Sequence, residues 1–268
     1  MNTSDLSKIT PYQDVNEVLH ALSQGIVDVF AGNLVGIYLF GSLSYGDFHP
    51  ESSDIDLVAI LNKPASQNEM ELIKQLHIQV GMKNDKWANR LECSYTPQEM
   101  LQNILPPKHP RPYFGEGIFY PEAHYGNEWI INLYLLYQHG LALIGPDFKA
   151  LINPIPMVDV QIACIRDLFQ EWEPKLTDPT WLNNSHYQSY IVLNLCRILY
   201  TVMCASTGSK KVSARWVKNE FGEWSNLIQT AEHWQYGTEM NLRRETIEFI
   251  KFIISKVKKT QVYTQLVH

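Results

Sequence analysis

The sequence predicts an α/β first part, a small mixed sheet with flanking helices, followed by an all-α helical bundle. The boundary is expected near residue 122, giving domains 1–121 and 122–268. Two observations carry this reading. In the first part, stretches of helical period alternate with short apolar runs bounded by Gly, Pro and Ser. From about Glu122 onward apolar residues recur almost only at helical spacing.

In chain order, Val15, Val18, Leu19, Leu22, Ile26 and Val27 mark a helix over about 12–30. Val35 to Phe40 reads as a buried strand, and Asp54 to Leu61 as a second. Ser66 caps a helix over about 67–81, and a third strand runs near Leu91 to Tyr95. Leu105 to Gly117 holds four prolines and two glycines and is expected as a loop, either functional or a linker. Helices follow around Trp129–Tyr137, Val158–Trp172, Ser189–Cys204, Lys211–Phe221, Trp224–Tyr236 and Met240–Lys258, with Leu143–Pro146 as a short turn.

The chain has 268 residues, 45% hydrophobic and 19% charged, an ordinary globular balance. No apolar run is long enough to span a bilayer, and Met1 to Thr10 lacks the pattern of a signal peptide. Cys93, Cys164, Cys196 and Cys204 have neither metal-ligand nor disulfide-framework spacing, so they read as reduced core residues of a cytoplasmic protein. A net charge of −6 argues against a general nucleic-acid surface and is compatible with a small cationic substrate.

Chemistry concentrates between Val35 and Leu57. Gly41, with no Cβ, lets the backbone turn and approach a ligand, and Ser42 suits the opening of a helix whose free N–H groups face phosphate. Asp54 and Asp56 share one face of their strand. Two such carboxylates repel unless a cation sits between them, and oxygen donors suit Mg²⁺ that is also held by substrate phosphates. A DxD alone is commonly a solvated edge, but a Gly-Ser turn after one apolar strand, with DxD opening the next, is far more specific. Glu92, on the third strand, reads by position alone as a solvated edge residue. Arg197, inside an apolar helix, is expected to need a buried ion-pair partner.

Gly41-Ser42, Gly46 and Asp54-Ile-Asp56 resemble the signature of the DNA polymerase beta-like nucleotidyltransferase superfamily. Leu143–Pro146, Leu193–Tyr200 and Ser209–Trp216 resemble the helical C-terminal domain of the streptomycin/spectinomycin adenylyltransferases. The resemblance implies an N-terminal nucleotidyltransferase domain, and the active site is expected in the cleft between the two parts, as ligand sites often lie at domain interfaces. It also implies Mg²⁺-dependent transfer of AMP from ATP to a hydroxyl of an aminoglycoside-type antibiotic, giving resistance. On it, Asp54, Asp56 and Glu92 become metal ligands and Glu92 the general base, while Gly41, Ser42, Lys210 and Tyr236 become nucleotide contacts. Lys211 is the alternative to Lys210, and Gln235 stands where an ungapped comparison would put the tyrosine. The drug contacts depart from the family: Tyr187 and Tyr190 occupy the places of an acidic residue and a His or Asn, and Gly117 that of an indole. A phenol does not replace a charged acid at similar strength. The same transfer to a protein side chain or another small metabolite is therefore the alternative, and a non-catalytic nucleotide-binding protein is the reading from another class.

Overall fold

A computed structural model describes residues 9–267, so most of the Met1–Thr10 stretch lies outside the described residues. The chain divides into two compact units. The first comprises the chain up to His49, then Ser53–Tyr125 and Asn132–Pro154; the second comprises Pro50–Ser52, Gly126–Ile131 and the chain from Ile155 onward.

The first unit is built on a six-stranded sheet in the order β5-β4-β3-β2-β1-β6. Helix α1 (Gln13–Phe30) leads into β1 (Leu34–Phe40), which pairs antiparallel with β2 (Ile55–Leu61). Helix α2 (Gln67–Lys83) opens with a reciprocal cap: the Glu69 amide donates to Ser66 Oγ at 3.3 Å, and the Ser66 amide to Glu69 Oε2 at 2.7 Å. A short α3 (Asp85–Ala88) follows, and β3 (Leu91–Pro97) then returns parallel to β2, as a crossover helix allows. Val15, Val18, Leu19, Leu22 and Ile26 of α1 are all fully buried. They share one apolar core with Ile37, Leu39, Ile55, Leu57, Leu91, Cys93 and Phe114 of the sheet. Alternation therefore sends Tyr38, Asp56, Glu92, Ser94 and Tyr113 to the opposite face.

Three expectations are corrected here. The second half of the expected loop is the hairpin β4 (Arg111–Gly115) and β5 (Ile118–Ala123). Pro112 sits where the β4–β5 register shifts, and Pro121 lies on the edge strand β5, the two settings in which a sheet tolerates proline. The helical pattern expected from Glu122 begins with α4 (Glu128–His139). The expected turn at Leu143 is the end of β6 (Leu141–Ile144), which pairs with β1, and the Tyr38 hydroxyl donates to the Pro146 carbonyl at 3.0 Å.

The second unit is helical: α5 (Met157–Asp167), α6 (Ser185–Cys204), α7 (Lys210–Glu220), α8 (Ser225–His233), α9 (Arg243–Val257) and α10 (Gln261–Val267). Helix α6 is buried on most of its circumference, as expected of a helix surrounded by others. Its Ile191, Leu195 and Leu199 pack in one core with Ala214, Val217, Ile228, Phe249 and Ile253. Helix α5 runs into one π turn, Leu168–Trp172, which carries the Trp172 indole round to donate to Asp167 Oδ2 at 2.8 Å. Arg197 is half-buried rather than sealed in, and among the described residues it forms no ion pair. Cys93, Cys164 and Cys196 are buried free thiols, whereas Cys204 is exposed and leaves the expected core set. Among the described residues, no helix is long and apolar enough to cross a membrane.

His77 lies beneath the sheet, stacked on Phe114 with ring centroids 4.0 Å apart, and its Nε2 is 2.7 Å from the Tyr95 hydroxyl. Burial pushes its imidazole down to about 3 from the ordinary 6.5. An unfolded chain takes up this proton below about pH 6.5 while the folded chain does not, so this contribution to stability is full above 6.5 and falls as pH drops toward 3. Asp167 slopes the other way: burial, with Glu128 and Glu171 adding, pushes it up to about 6, so the stability it contributes is lost as pH rises from 3.8 through 6. The difference between wild type and His77→Gln isolates the first group. In denaturant titrations it is expected to shrink by up to about 1.4 kcal/mol per pH unit on acidification below 6.5; a difference independent of pH overturns the assignment.

Candidate active site

The site in the first unit starts where β1 ends. Gly41 has φ +66°, the left-handed region that glycine enters without strain. A Cβ there would overlap the Asp56 carboxylate, so the absence of a side chain is what lets that carboxylate lie against the turn. Gly41–Leu43 is a single 3₁₀ turn, not the start of the expected α-helix. The Ser44 amide and hydroxyl both donate to the Gly41 carbonyl, at 3.0 and 2.8 Å, and close the turn locally. Any hold on phosphate here comes from a tight turn, without the dipole of a long helix.

The parallel register of β2 and β3 sets Asp56 opposite Glu92, on the face that α1 and α2 do not cover. Asp54 lies just before β2, and its Oδ1 is 3.7 Å from Arg90 Nε. Arg90, whose side chain is 10% exposed, also donates to the Ser53 carbonyl and lies over the Trp87 ring at 4.6 Å. Asp54 thus has a built-in counter-charge that sequence reasoning missed. Its only signal was an arginine at the entry to the strand carrying the third acid.

Among the described residues no three His, Cys, Asp or Glu side chains are gathered tightly enough to hold a metal ion by themselves. That arrangement still fits Mg²⁺, which is commonly held by one or two carboxylates together with substrate phosphates and not by a closed protein cage.

Two further residues complete this corner, and neither was a sequence candidate. The Tyr113 hydroxyl hydrogen-bonds to Glu92; burial first, then the charges of Glu92 and Asp56, push its phenol well above the ordinary value, so it stays a neutral donor. The guanidinium of buried Arg111 lies 3.7 Å from the Tyr125 ring centroid and 5.2 Å from that of Tyr113. The hairpin turn just beyond, Glu116-Gly117, has φ +53° and +74°, as a two-residue turn with both central residues left-handed requires.

The helical unit gathers the other candidates. Lys210 opens α7, capped by Ser209, whose Oγ accepts from the Val212 amide at 3.2 Å. Lys210 Nζ lies 5.5 Å from the Tyr190 ring. The His186 ring connects the rest, with centroid distances of 6.3 Å to Tyr190, 5.6 Å to Tyr187, 5.3 Å to Trp234 and 5.4 Å to Tyr236. Lys210 and Tyr236 therefore belong to one aromatic cluster, and the two tyrosines that depart from the family's drug contacts lie in it. His186 and Trp234 were not singled out from sequence, where an aromatic position on a helix is most often core.

Comparison with known proteins places this geometry. Residues 26–104 match the nucleotidyltransferase domain model, and residues 150–259 match the model of the aminoglycoside adenylyltransferase C-terminal domain. An aminoglycoside (3'') (9) adenylyltransferase of Klebsiella pneumoniae is 25% identical, over 84% of this chain and 88% of that protein. A spectinomycin 9-adenylyltransferase of Campylobacter jejuni is 24% identical, over 93% and 95%. The crystal structure of the Enterococcus faecialis spectinomycin adenyltransferase with ATP and spectinomycin superposes with a TM-score of 0.70 at 19% identity, over 91% of this chain and 99% of that one, and so shares the fold. With both domain models matched in order and relatives aligned along most of the length, the chain is an enzyme that carries a nucleotidyltransferase domain followed by the C-terminal domain of the aminoglycoside adenylyltransferases.

Proposed function

We propose that the enzyme transfers AMP from ATP, with Mg²⁺, to a hydroxyl of an aminoglycoside-type antibiotic and so confers resistance. The observation that carries this reading is the in-register pair Asp56 and Glu92 beside the Gly41 turn. It is supported by the relatives, named for aminoglycosides and spectinomycin, and by the neighbour solved with ATP and spectinomycin.

Asp56 and Asp54 would hold Mg²⁺, Asp54 by exchanging part of its interaction with Arg90, and Glu92 lies where it can share that role. When bound, the metal supplies charge neutralisation at the triphosphate and the reacting oxygens. The Gly41-Ser42 turn brings backbone close to the triphosphate. Glu92 accepts the proton of the attacking hydroxyl, a role in which position matters before pKa. Lys210 and Tyr236 contribute nucleotide contacts from the helical part, the lysine as a charge-assisted donor. Phosphoryl-type transfer depends mainly on positioning and charge neutralisation, which this residue set provides.

The aromatic cluster favours a second acceptor reading. Tyr187 and Tyr190, 37% and 38% exposed, offer ring faces and phenols where the family has a charged acid. Rings bind cations and flat apolar groups more weakly than a carboxylate binds an ammonium. A protein side chain or another hydroxylated metabolite fits this surface as the acceptor, with the chemistry unchanged. Pyrophosphate release from Mg·ATP, measured with spectinomycin, with streptomycin and with a mixed library of hydroxylated acceptors, decides between the two. Release with neither antibiotic but with a library member overturns the antibiotic reading.

Four substitutions test the assigned roles. Glu92→Gln is expected to lower turnover by about 10²- to 10⁴-fold with Mg·ATP affinity little changed, as for a lost general base; a parallel loss of affinity in calorimetry would make it an essential metal ligand instead. Gly41→Ala forces the Asp56 carboxylate aside and strains the turn, so turnover should collapse while stability drops by about 1–3 kcal/mol. Lys210→Ala is expected to raise the KM for ATP by about tenfold or more, the worth of one charged hydrogen bond. The same rise in Lys211→Ala alone would move the role to the neighbouring residue.

A further inference from the structure

We propose that Tyr113 is a positioning residue for Glu92: its hydroxyl, seated over Gly115, donates the hydrogen bond that sets the carboxylate's orientation beside Asp56. This inference rests on the reading of Glu92 as the base.

The placement follows from register. Strands β3 and β4 pair antiparallel with Cys93 opposite Phe114 and Ser94 opposite Tyr113. One step further along the same register sets Glu92 opposite Gly115. Tyr113 and Gly115 are two residues apart on one strand and so share a face, the face that carries Asp56 and Glu92. The Tyr113 side chain leans along its strand over Gly115, where a Cβ would overlap the hydroxyl and the ring carbon bearing it. The space left by the missing side chain is thus filled by the phenol, whose tip meets the carboxylate on the next strand.

The ring is held from other directions as well. It stacks on Tyr120, its partner on β5, at 6.1 Å and 24°, and the Arg111 guanidinium lies 5.2 Å from its centre. A phenol gripped in this way has little freedom to follow a wandering carboxylate, so the carboxylate is drawn to it. A hydrogen bond to one carboxylate oxygen fixes the carboxyl plane and leaves the other oxygen to face the acceptor. Partners of this kind typically cost about 10- to 100-fold in activity when removed.

The test is a double-mutant cycle on the full chain with Tyr113→Phe, Glu92→Gln and the pair, read in melting temperature and in pyrophosphate release from Mg·ATP, with water and with spectinomycin as acceptors. Tyr113→Phe keeps the ring stack and deletes only the hydroxyl. We expect kcat to fall about 10- to 100-fold with the KM for ATP unchanged, and no further fall when Tyr113→Phe is added to Glu92→Gln. Melting temperatures should show coupling between the two positions, which needs no turnover to be read. Gly115→Ala, which displaces the phenol by another route, should reproduce the kcat loss. Coupling in melting temperature with unchanged kcat would make Tyr113 purely structural and overturn the inference, as would additive effects in both readouts. Full turnover in Glu92→Gln would instead remove the base assignment and this inference with it, an outcome distinguishable from failure of Tyr113 alone.

Discussion

The whole first unit depends on the parallel pairing of β2 with β3. Because side chains alternate and parallel partners lie side by side, one register brings Asp56 level with Glu92 while sending Ile55, Leu57, Leu91 and Cys93 into the core under α1 and α2. A slip of one residue would exchange these sets, putting carboxylates in the core and aliphatic side chains at the site. Stability and chemistry are therefore specified by the same constraint. The apolar face holds the strands in register far more strongly than the carboxylates oppose it, since each buried aliphatic side chain contributes on the order of 1.5–3 kcal/mol.

Charge is managed by neighbours and not by solvent alone. Asp54 is faced by Arg90, whose guanidinium is itself fixed on the Trp87 ring and the Ser53 carbonyl. Glu92 is met by a phenol that stays protonated. A cation thus lies beside one carboxylate and a neutral donor beside the other, and such surroundings shift a carboxyl group differently. In the helical unit the cation is Lys210, and its company is the ring of Tyr190.

Much of this was legible in the sequence, for identifiable reasons. Helix α1 and strands β1 to β3 announce themselves through period and punctuation, and the Ser66–Glu69 cap is local in sequence. Gly41, Asp54 and Asp56 became candidates through motif spacing and alternation, which are properties of a single strand or turn, whereas Glu92 became one only through the resemblance. The hairpin β4–β5 was hidden by its prolines, which read as loop unless one knows that a register shift or a sheet edge will absorb them. Strand β6 was hidden because four residues followed by Gly145-Pro146 carry no period. Arg90 and Tyr113 meet acids outside their own elements, and His186 joins two tyrosines of its own helix to Trp234 and Tyr236, distant in sequence; only the place of Arg90 at the entry to a strand gave a local signal. Cys204 was misplaced because a cysteine at the frayed end of a helix looks like any other in composition.

The Glu116-Gly117 hairpin constrains which side chains its own positions can accept. Both turn residues sit at positive φ, and a Cβ at 117 would overlap the Asn89 side-chain oxygen. A bulky side chain placed there would meet backbone strain and a steric clash with Asn89. Any single substitution that adds a side chain at 117 meets both obstacles unless the turn itself is first rebuilt. Change at this hairpin is therefore expected to come through the length or type of its turn and not through single side-chain additions at 117.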